Sequence, residues 1–267
     1  MTPPPTPPLA DLGRKWPLQG PESSKILPPT PCGVVLLADR GGDATGGSAP
    51  GALVRVVVGA VAGGVRWVVL REKDLPRAER AALAAHLRPI LAEAGGTLVV
   101  AGPDPLGGDA VHLPATGPYP PPRPGPAGRP RPWLVGRSCH DAAELARLTT
   151  EDYATLSPVY PSRSKPGYGP PLGPRRLGEL IRFSPVPVLA LGGIETPEQV
   201  RACLAAGAAG VAVQGAIMRA PDPAEAAATL TTAWAEARAG QSCAETPQPS
   251  TGTTAAALVD RASEATK

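Results

Sequence analysis

Apolar and polar positions along the chain repeat one unit: a short aliphatic run, a glycine-rich or charged turn, then a stretch with helical spacing. The most regular copy lies between Val186 and Met218. Val186–Leu191 is an unbroken apolar run of the kind that a strand buried on both faces requires. Gly192-Gly193 follows and lets the backbone turn tightly and approach a ligand. Thr196 ahead of Pro197 reads as a helix N-cap with proline at the first helical position. Gly207 stops that helix. Gly210–Val213 is the next buried strand, and Gln214-Gly215-Ala216-Ile217 is a second small-residue turn.

The same unit predicts strands at Val34–Ala38, Trp67–Leu70, Thr97–Val100, Ala110–Leu113, Leu134–Gly136 and Tyr153–Leu156. Helices are expected near Leu53–Ala62, over Pro76–Ala94, over Asp141–Leu148, from Pro171 to Arg182, and over Asp222–Arg238. The second of these carries Leu83, Leu87, Ile90 and Leu91 on one stripe. Ala101–Asp109 is too short and too rich in proline and glycine for a proper crossover helix. Eight strands alternating with helices predict an α/β fold, a TIM-type (β/α)8 barrel filling one domain over residues 33–239.

Proline refines this picture. It occupies 37 of the 267 positions, and it is concentrated rather than spread. Residues 1–32 are proline-rich and poor in large apolar side chains, so a disordered tail is expected. Residues 117–132 hold eight prolines in sixteen positions and predict an extended surface loop. Residues 240–267 form a polar, Ala/Thr-rich, low-complexity tail. The net charge of +3 is too small and too dispersed to argue for nucleic acid. No apolar run approaches transmembrane length, and no signal-like segment opens the chain. A soluble, cytoplasmic protein is expected. Cys32, Cys139, Cys203 and Cys243 show neither close pairing nor metal-ligand spacing, which favours a reduced compartment.

Candidate chemistry sits at the strand ends. Arg71-Glu72-Lys73-Asp74 follows the second strand, and a period of two puts Arg71 and Lys73 on one face. Two cations there suit an anion, although a solvated charge cluster is the commoner fate of such a run. Two glycine turns after consecutive strands are how a barrel of this type builds a phosphate site from its last two loops. Gly192, Gly193, Gln214 and Gly215 are the residues concerned. His112, on the fourth strand, reads as a hydrogen-bonded core residue, and His86 as a surface one.

The motifs LLADR, LREKD, VHLP, GRSCH, SPVYPSRSKPG, LALGGI and GVAVQGAI occur in this order. Together they resemble the thiamine phosphate synthase and thiazole tautomerase family. The resemblance implies a barrel that handles hydroxymethylpyrimidine diphosphate and thiazole phosphate. Carried over by motif, Arg71, Lys73, Ser162, Ser164 and Lys165 match the diphosphate-binding set. Ser138 matches the serine after the fifth strand, and Gly192, Gly193, Gln214 and Gly215 match the phosphate cradle. Ser138, His140 and Lys165 are the implied catalytic residues. The leading expectation is a synthase that joins the two substrates and releases pyrophosphate. A thiazole tautomerase using His140 as acid–base stays open, as does a non-catalytic regulatory protein that binds thiazole or thiamine phosphate. Synthases of this family carry Mg²⁺-binding acids after strands three and four, where this chain has Ala101-Gly102 and Pro114-Ala115-Thr116. No metal ligand is expected at those positions, and Asp104 or Asp109 is the substitute to consider. A homo-oligomer stays open; neither nucleic acid nor a membrane is an expected partner.

Overall fold

A parallel strand closed into a ring points alternate residues inward and outward, and that parity organises the molecule. The computed structural model describes residues 30–39, 50–119, 121, 134–163, 167 and 169–244. Its strands are β1 (Gly33–Ala38), β2 (Trp67–Leu70), β3 (Thr97–Ala101), β4 (Ala110–Leu113), β5 (Leu134–Cys139), β6 (Tyr153–Leu156), β7 (Val188–Leu191) and β8 (Gly210–Val213). All pair in parallel and in chain order, and β8 returns to β1 through Gly33↔Gly210 and Leu36↔Val213. The expected eight-stranded barrel is the fold.

The two parities bury different things. Val34, Leu36 and Ala38 of β1, Val68 and Leu70 of β2, and Leu98 and Val100 of β3 point outward into one large apolar layer. That layer is shared with the helices α1 (Pro50–Ala62), α2 (Arg77–Glu93), α3 (Ala142–Ala146), α4 (Gly173–Ile181), α5 (Pro197–Ala205), α6 (Gly215–Met218) and α7 (Pro223–Ala244). Leu36, Leu70, Leu87, Leu91 and Leu156 are wholly buried in it, each stabilising the fold by roughly 1.5–3 kcal/mol. The opposite parity fills the barrel with Val35, Trp67, Val69, Val99, Leu134 and Tyr153. Over β4 and β5 the outer layer thins to a separate trio, Val111, Leu113 and Val135. Among the described residues no helix follows β3 or β4, as the short connection after β3 leads one to expect.

Several element ends differ from expectation for local reasons. β7 begins at Val188 rather than Val186, because Pro185 and Pro187 supply no N–H and the Val186 amide is taken by Ser184 Oγ at 3.4 Å. β5 continues to Cys139 because Ser138 and Cys139 find partners in Thr155 and Leu156 of β6. The last helix runs through Gly240 to Ala244, beyond the expected stop at Arg238. The turn after β8 tightens into the single helical turn α6. The capping expectation at Thr196 is met: its hydroxyl accepts from Gln199 N while the Gln199 side chain accepts from Thr196 N at 3.1 Å. The tail over residues 1–29, most of the proline-rich loop and residues 245–267 lie outside the described residues.

One close approach sets the floor of the barrel mouth. The Tyr153 ring, 1% exposed, lies directly over Gly136 of the neighbouring strand, where any added side chain would run into it. A fixed backbone cannot relieve that overlap, so Gly136→Ala should cost about 1–3 kcal/mol as overpacking. The urea unfolding midpoint measures it, and an unchanged midpoint would contradict this packing.

Candidate active site

The inward parity that stacks apolar side chains inside the barrel turns polar at the C-terminal strand ends. A cavity of about 260 Å³ opens there. From β2 the alternation Trp67, Val69, Arg71, Lys73 carries both cations to its wall. Glu72, on the other parity, is buried elsewhere. Asp39, the inward-parity residue just past β1, is ion-paired with Arg71 and holds the guanidinium in place. The Asp39 carbonyl also accepts from the Gln214 side chain at 3.4 Å, which ties the loop after β8 to the loop after β1.

The centre of the cavity is a hydroxyl and imidazole cluster. His112 Nε2 lies 3.0 Å from Ser138 Oγ and 3.4 Å from Thr155 Oγ1, while its Nδ1 meets the Tyr153 hydroxyl at 3.2 Å. Burial first, and then the nearby Lys73, Arg137 and Arg71 cations, hold the imidazole down at about 3. His112 is therefore neutral. Burial likewise pushes the Tyr153 phenol well up, so Tyr153 stays a protonated hydroxyl. His112 reads from sequence as a core residue. It is hydrogen-bonded as that reading expects, but it also forms part of the cavity wall. Its inward parity was the available signal.

His140 follows β5 and faces the cavity. Its orientation comes from the start of α3. Asp141 caps that helix by accepting from Glu144 N at 2.8 Å, and Glu144 Oε2 accepts from the His140 backbone N–H at 2.6 Å. The same carboxylate oxygen lies 2.9 Å from His140 Nδ1. The lip between β4 and β5 is fixed from below by Arg137, 1% exposed, which donates to Glu151 Oε1 at 2.6 Å. Arg137 also donates to the Pro114 and Pro118 carbonyls at 3.1 and 2.9 Å and stacks 4.0 Å from the Tyr119 ring centre.

The far wall comes from β7 and β8. Gly192 and Gly193 have φ of +102° and +66°, a region costly for side-chain-bearing residues. Gly192 also packs against Pro158, whose Cα would lie 2.9 Å from an added Cβ. Gln214, Gly215, Glu195 and Arg219 complete this side, and Ser162 of the loop after β6 also lines the cavity. Sequence reasoning did not single out Glu195, Arg219 or Thr155.

Ser164 and Lys165 lie outside the described residues. Asp104 and Asp109 do not line the cavity. Asp104 accepts from Arg77 at 2.6 Å and from Leu106 N at 3.1 Å. Asp109 accepts from Arg88 at 2.9 Å and from Leu98 N at 3.0 Å. Among the described residues no group of three or more His, Cys, Asp and Glu could hold a metal ion. Burial raises the Cys139 and Cys203 thiols to about 12, so neither is a nucleophile at neutral pH.

Fold and cavity together define a TIM-type barrel enzyme with its polar groups at the C-terminal strand ends. The chain belongs to the thiamine monophosphate synthase family, whose model matches residues 44–217. A Geobacter sulfurreducens protein provisionally named thiamine-phosphate synthase is 40% identical over 189 residues, covering 67% of this chain and 85% of that protein. The thiamine-phosphate synthase of Methanoculleus marisnigri is 36% identical over 191 residues, covering 67% and 87% respectively. The thiamine phosphate pyrophosphorylase of Pyrococcus furiosus shares the fold with a TM-score of 0.60 at 22% identity, over 77% of this chain and 96% of that one. With the family come its pathway and class: thiamine biosynthesis, and a transferase. No helix among the described residues is long and apolar enough to cross a membrane.

The buried neutral His112 has a stability signature. Unfolded, it titrates near its ordinary value of about 6.5, whereas folded it does so at about 3. Between these values the unfolded chain binds a proton that the folded protein does not. The stability it contributes is therefore complete above about pH 6.5 and is lost as pH falls toward the folded value, by up to about 1.4 kcal/mol per unit. Unfolding midpoints between pH 4 and 7 should fall more steeply for the wild type than for His112→Gln. Equal slopes would contradict a buried neutral imidazole.

Proposed function

We propose that this cavity condenses hydroxymethylpyrimidine diphosphate with thiazole phosphate, forming thiamine phosphate and releasing pyrophosphate. One observation carries the reading: two groups suited to anions line a single cavity. Arg71 and Lys73 form one, and the positive-φ pair Gly192-Gly193 with Gln214 and Gly215 forms the other. A tautomerase handles one phosphate and has no use for the first group.

In the proposed reaction the bond between the pyrimidine methylene carbon and the diphosphate oxygen breaks. The leaving group takes the electron pair, and the thiazole nitrogen supplies the pair that forms the new C–N bond. Negative charge builds on the diphosphate while positive charge spreads over the pyrimidine methylene. Prepositioned cations lower that barrier because they need no reorganisation as charge develops. Arg71, fixed by Asp39, and Lys73 serve the leaving group. Ser162, Ser164 and Lys165 of the loop after β6 are assigned to it as well. Ser138, hydrogen-bonded by neutral His112, presents a hydroxyl beside the reacting carbon. The cradle of Gly192, Gly193, Gln214 and Gly215 takes the thiazole phosphate and brings the two substrates into one geometry. The family commonly uses Mg²⁺; among the described residues no cluster of three or more His, Cys, Asp and Glu stands ready for it, and the charge stabilisation is assigned to the cations. A cytoplasmic setting accords with these soluble substrates.

Purified protein supplied with both substrates should form thiamine phosphate, with weaker dependence on added Mg²⁺ than a site bearing two acids would show. Arg71→Ala should weaken pyrophosphate inhibition by about tenfold to a hundredfold, the usual worth of a hydrogen bond to a charged group. His140→Ala should lower turnover by less than about a hundredfold, since a residue moving a proton in the step typically contributes at least that much. Interconversion of thiazole phosphate tautomers without any pyrimidine substrate, abolished in His140→Ala, would replace the synthase reading by a tautomerase.

A further inference from the structure

Arg219, just past α6, is not absorbed by the roles above. Its side chain is 25% exposed, and the residue lines the cavity. The guanidinium lies directly over Gly215: a side chain added at Gly215 would overlap Nη1, Nη2 and the carbon between them. It therefore sits at the cradle itself, within the wall that Gly192, Gly193 and Gln214 complete.

The partner of this cation matters as much as its position. Arg219 Nη2 donates to Glu195 Oε1 at 3.0 Å. The other oxygen of Glu195 lies 3.9 Å from the exposed Arg163. Among the described residues lining the cavity, Glu195 is the one carboxylate, against Arg71, Lys73, Arg163 and Arg219. A guanidinium carries five N–H donors in a planar fork that suits phosphate oxygens. In this structure it donates to one carboxylate oxygen. The remaining donors lie over the glycine wall, where a monoester phosphate bound by backbone N–H groups would meet them.

We propose that Arg219 is a side-chain ligand of the thiazole phosphate and the residue that sets preference for the phosphorylated thiazole over its alcohol, with Glu195 competing against the phosphate for the guanidinium. The proposal rests on assigning the monoester phosphate to the β7–β8 wall, as above. Phosphate binding exchanges one anionic partner of Arg219 for another. Glu195 thereby lowers phosphate affinity while holding the guanidinium in position. The Coulomb energy of bringing a dianion beside Glu195 is the counterpart of that hold.

The test is equilibrium binding by calorimetry, without pyrimidine substrate, of thiazole phosphate and of thiazole alcohol to the full chain and to Arg219→Ala, Arg219→Lys and Glu195→Gln. The wild type should prefer the phosphate. Arg219→Ala should weaken phosphate binding about tenfold or more, the loss expected for a charge-assisted hydrogen bond, and leave the alcohol unchanged. Arg219→Lys should recover part of the loss, because it restores the charge without the fork. Glu195→Gln should bind the phosphate several-fold more tightly. If Arg219 serves only to anchor Glu195, the alanine and glutamine variants will move together or not at all, and the proposal is overturned. It is also overturned if the wild type does not distinguish phosphate from alcohol. Turnover with both substrates, run in parallel, judges the synthase reading separately. Arg219-dependent phosphate binding without thiamine phosphate formation would sink that reading and keep this one. Turnover with phosphate binding unchanged in Arg219→Ala would do the reverse.

Discussion

Closure of eight parallel strands is the constraint on which everything else depends. Once β8 pairs with β1, each strand has only one set of alternate residues to offer the interior, and its C-terminal end fixes which of them reach the mouth. Arg71 and Lys73 extend the inward set of β2, and His112, Ser138 and Thr155 those of β4, β5 and β6. A slip of one residue in any of these strands would exchange its cavity residue for one that now packs against the helices. The apolar layer outside the barrel, with leucines and valines at essentially zero exposure, opposes such a slip. Packing energy and catalytic geometry are in this sense one constraint.

The electrostatics of the mouth follow from what that register places there. Among the described residues, the lining carries several cations and the single carboxylate Glu195, while Asp39 pairs with Arg71. Other acids are engaged outside the cavity lining. Asp104 and Asp109 are ion-paired with arginines of α2, and Glu151 is buried against Arg137. Buried ion pairs stabilise little on balance but are costly to break, so Arg137 and Glu151 serve to hold the β4–β5 lip in one arrangement. The same desolvated setting keeps His112 neutral, so the positive charge at the mouth is carried by the arginines and Lys73.

Much of this was legible in the chain. The bounds of β2 and β8 follow from four-residue runs without a polar side chain, and β4 and β6 keep the pattern with one polar inward residue each, His112 and Thr155. The shared face of Arg71 and Lys73 follows from a period of two. The glycine pair at the end of β7 was readable because glycine adopts the positive φ of Gly192 and Gly193 without strain. Other features were not legible, for physical reasons. His112 looks the same in sequence whether it satisfies a core hydroxyl or lines a cavity. The Glu195–Arg219 and Asp39–Arg71 pairs, separated by 24 and 32 positions, meet only when neighbouring strands pair, and no local periodicity encodes that. Proline flanking Val186 trimmed a strand that hydropathy alone would have extended.

The central claim is that one cavity holds two separate anion sites, one for the diphosphate and one for the monoester. A crystal structure of the protein soaked with pyrophosphate and thiazole phosphate together addresses it most directly. This account predicts pyrophosphate density against Arg71 and Lys73, and the monoester phosphate against Gly192, Gly193 and Gly215. Both anions on one wall, or pyrophosphate bound outside the barrel mouth, would contradict it.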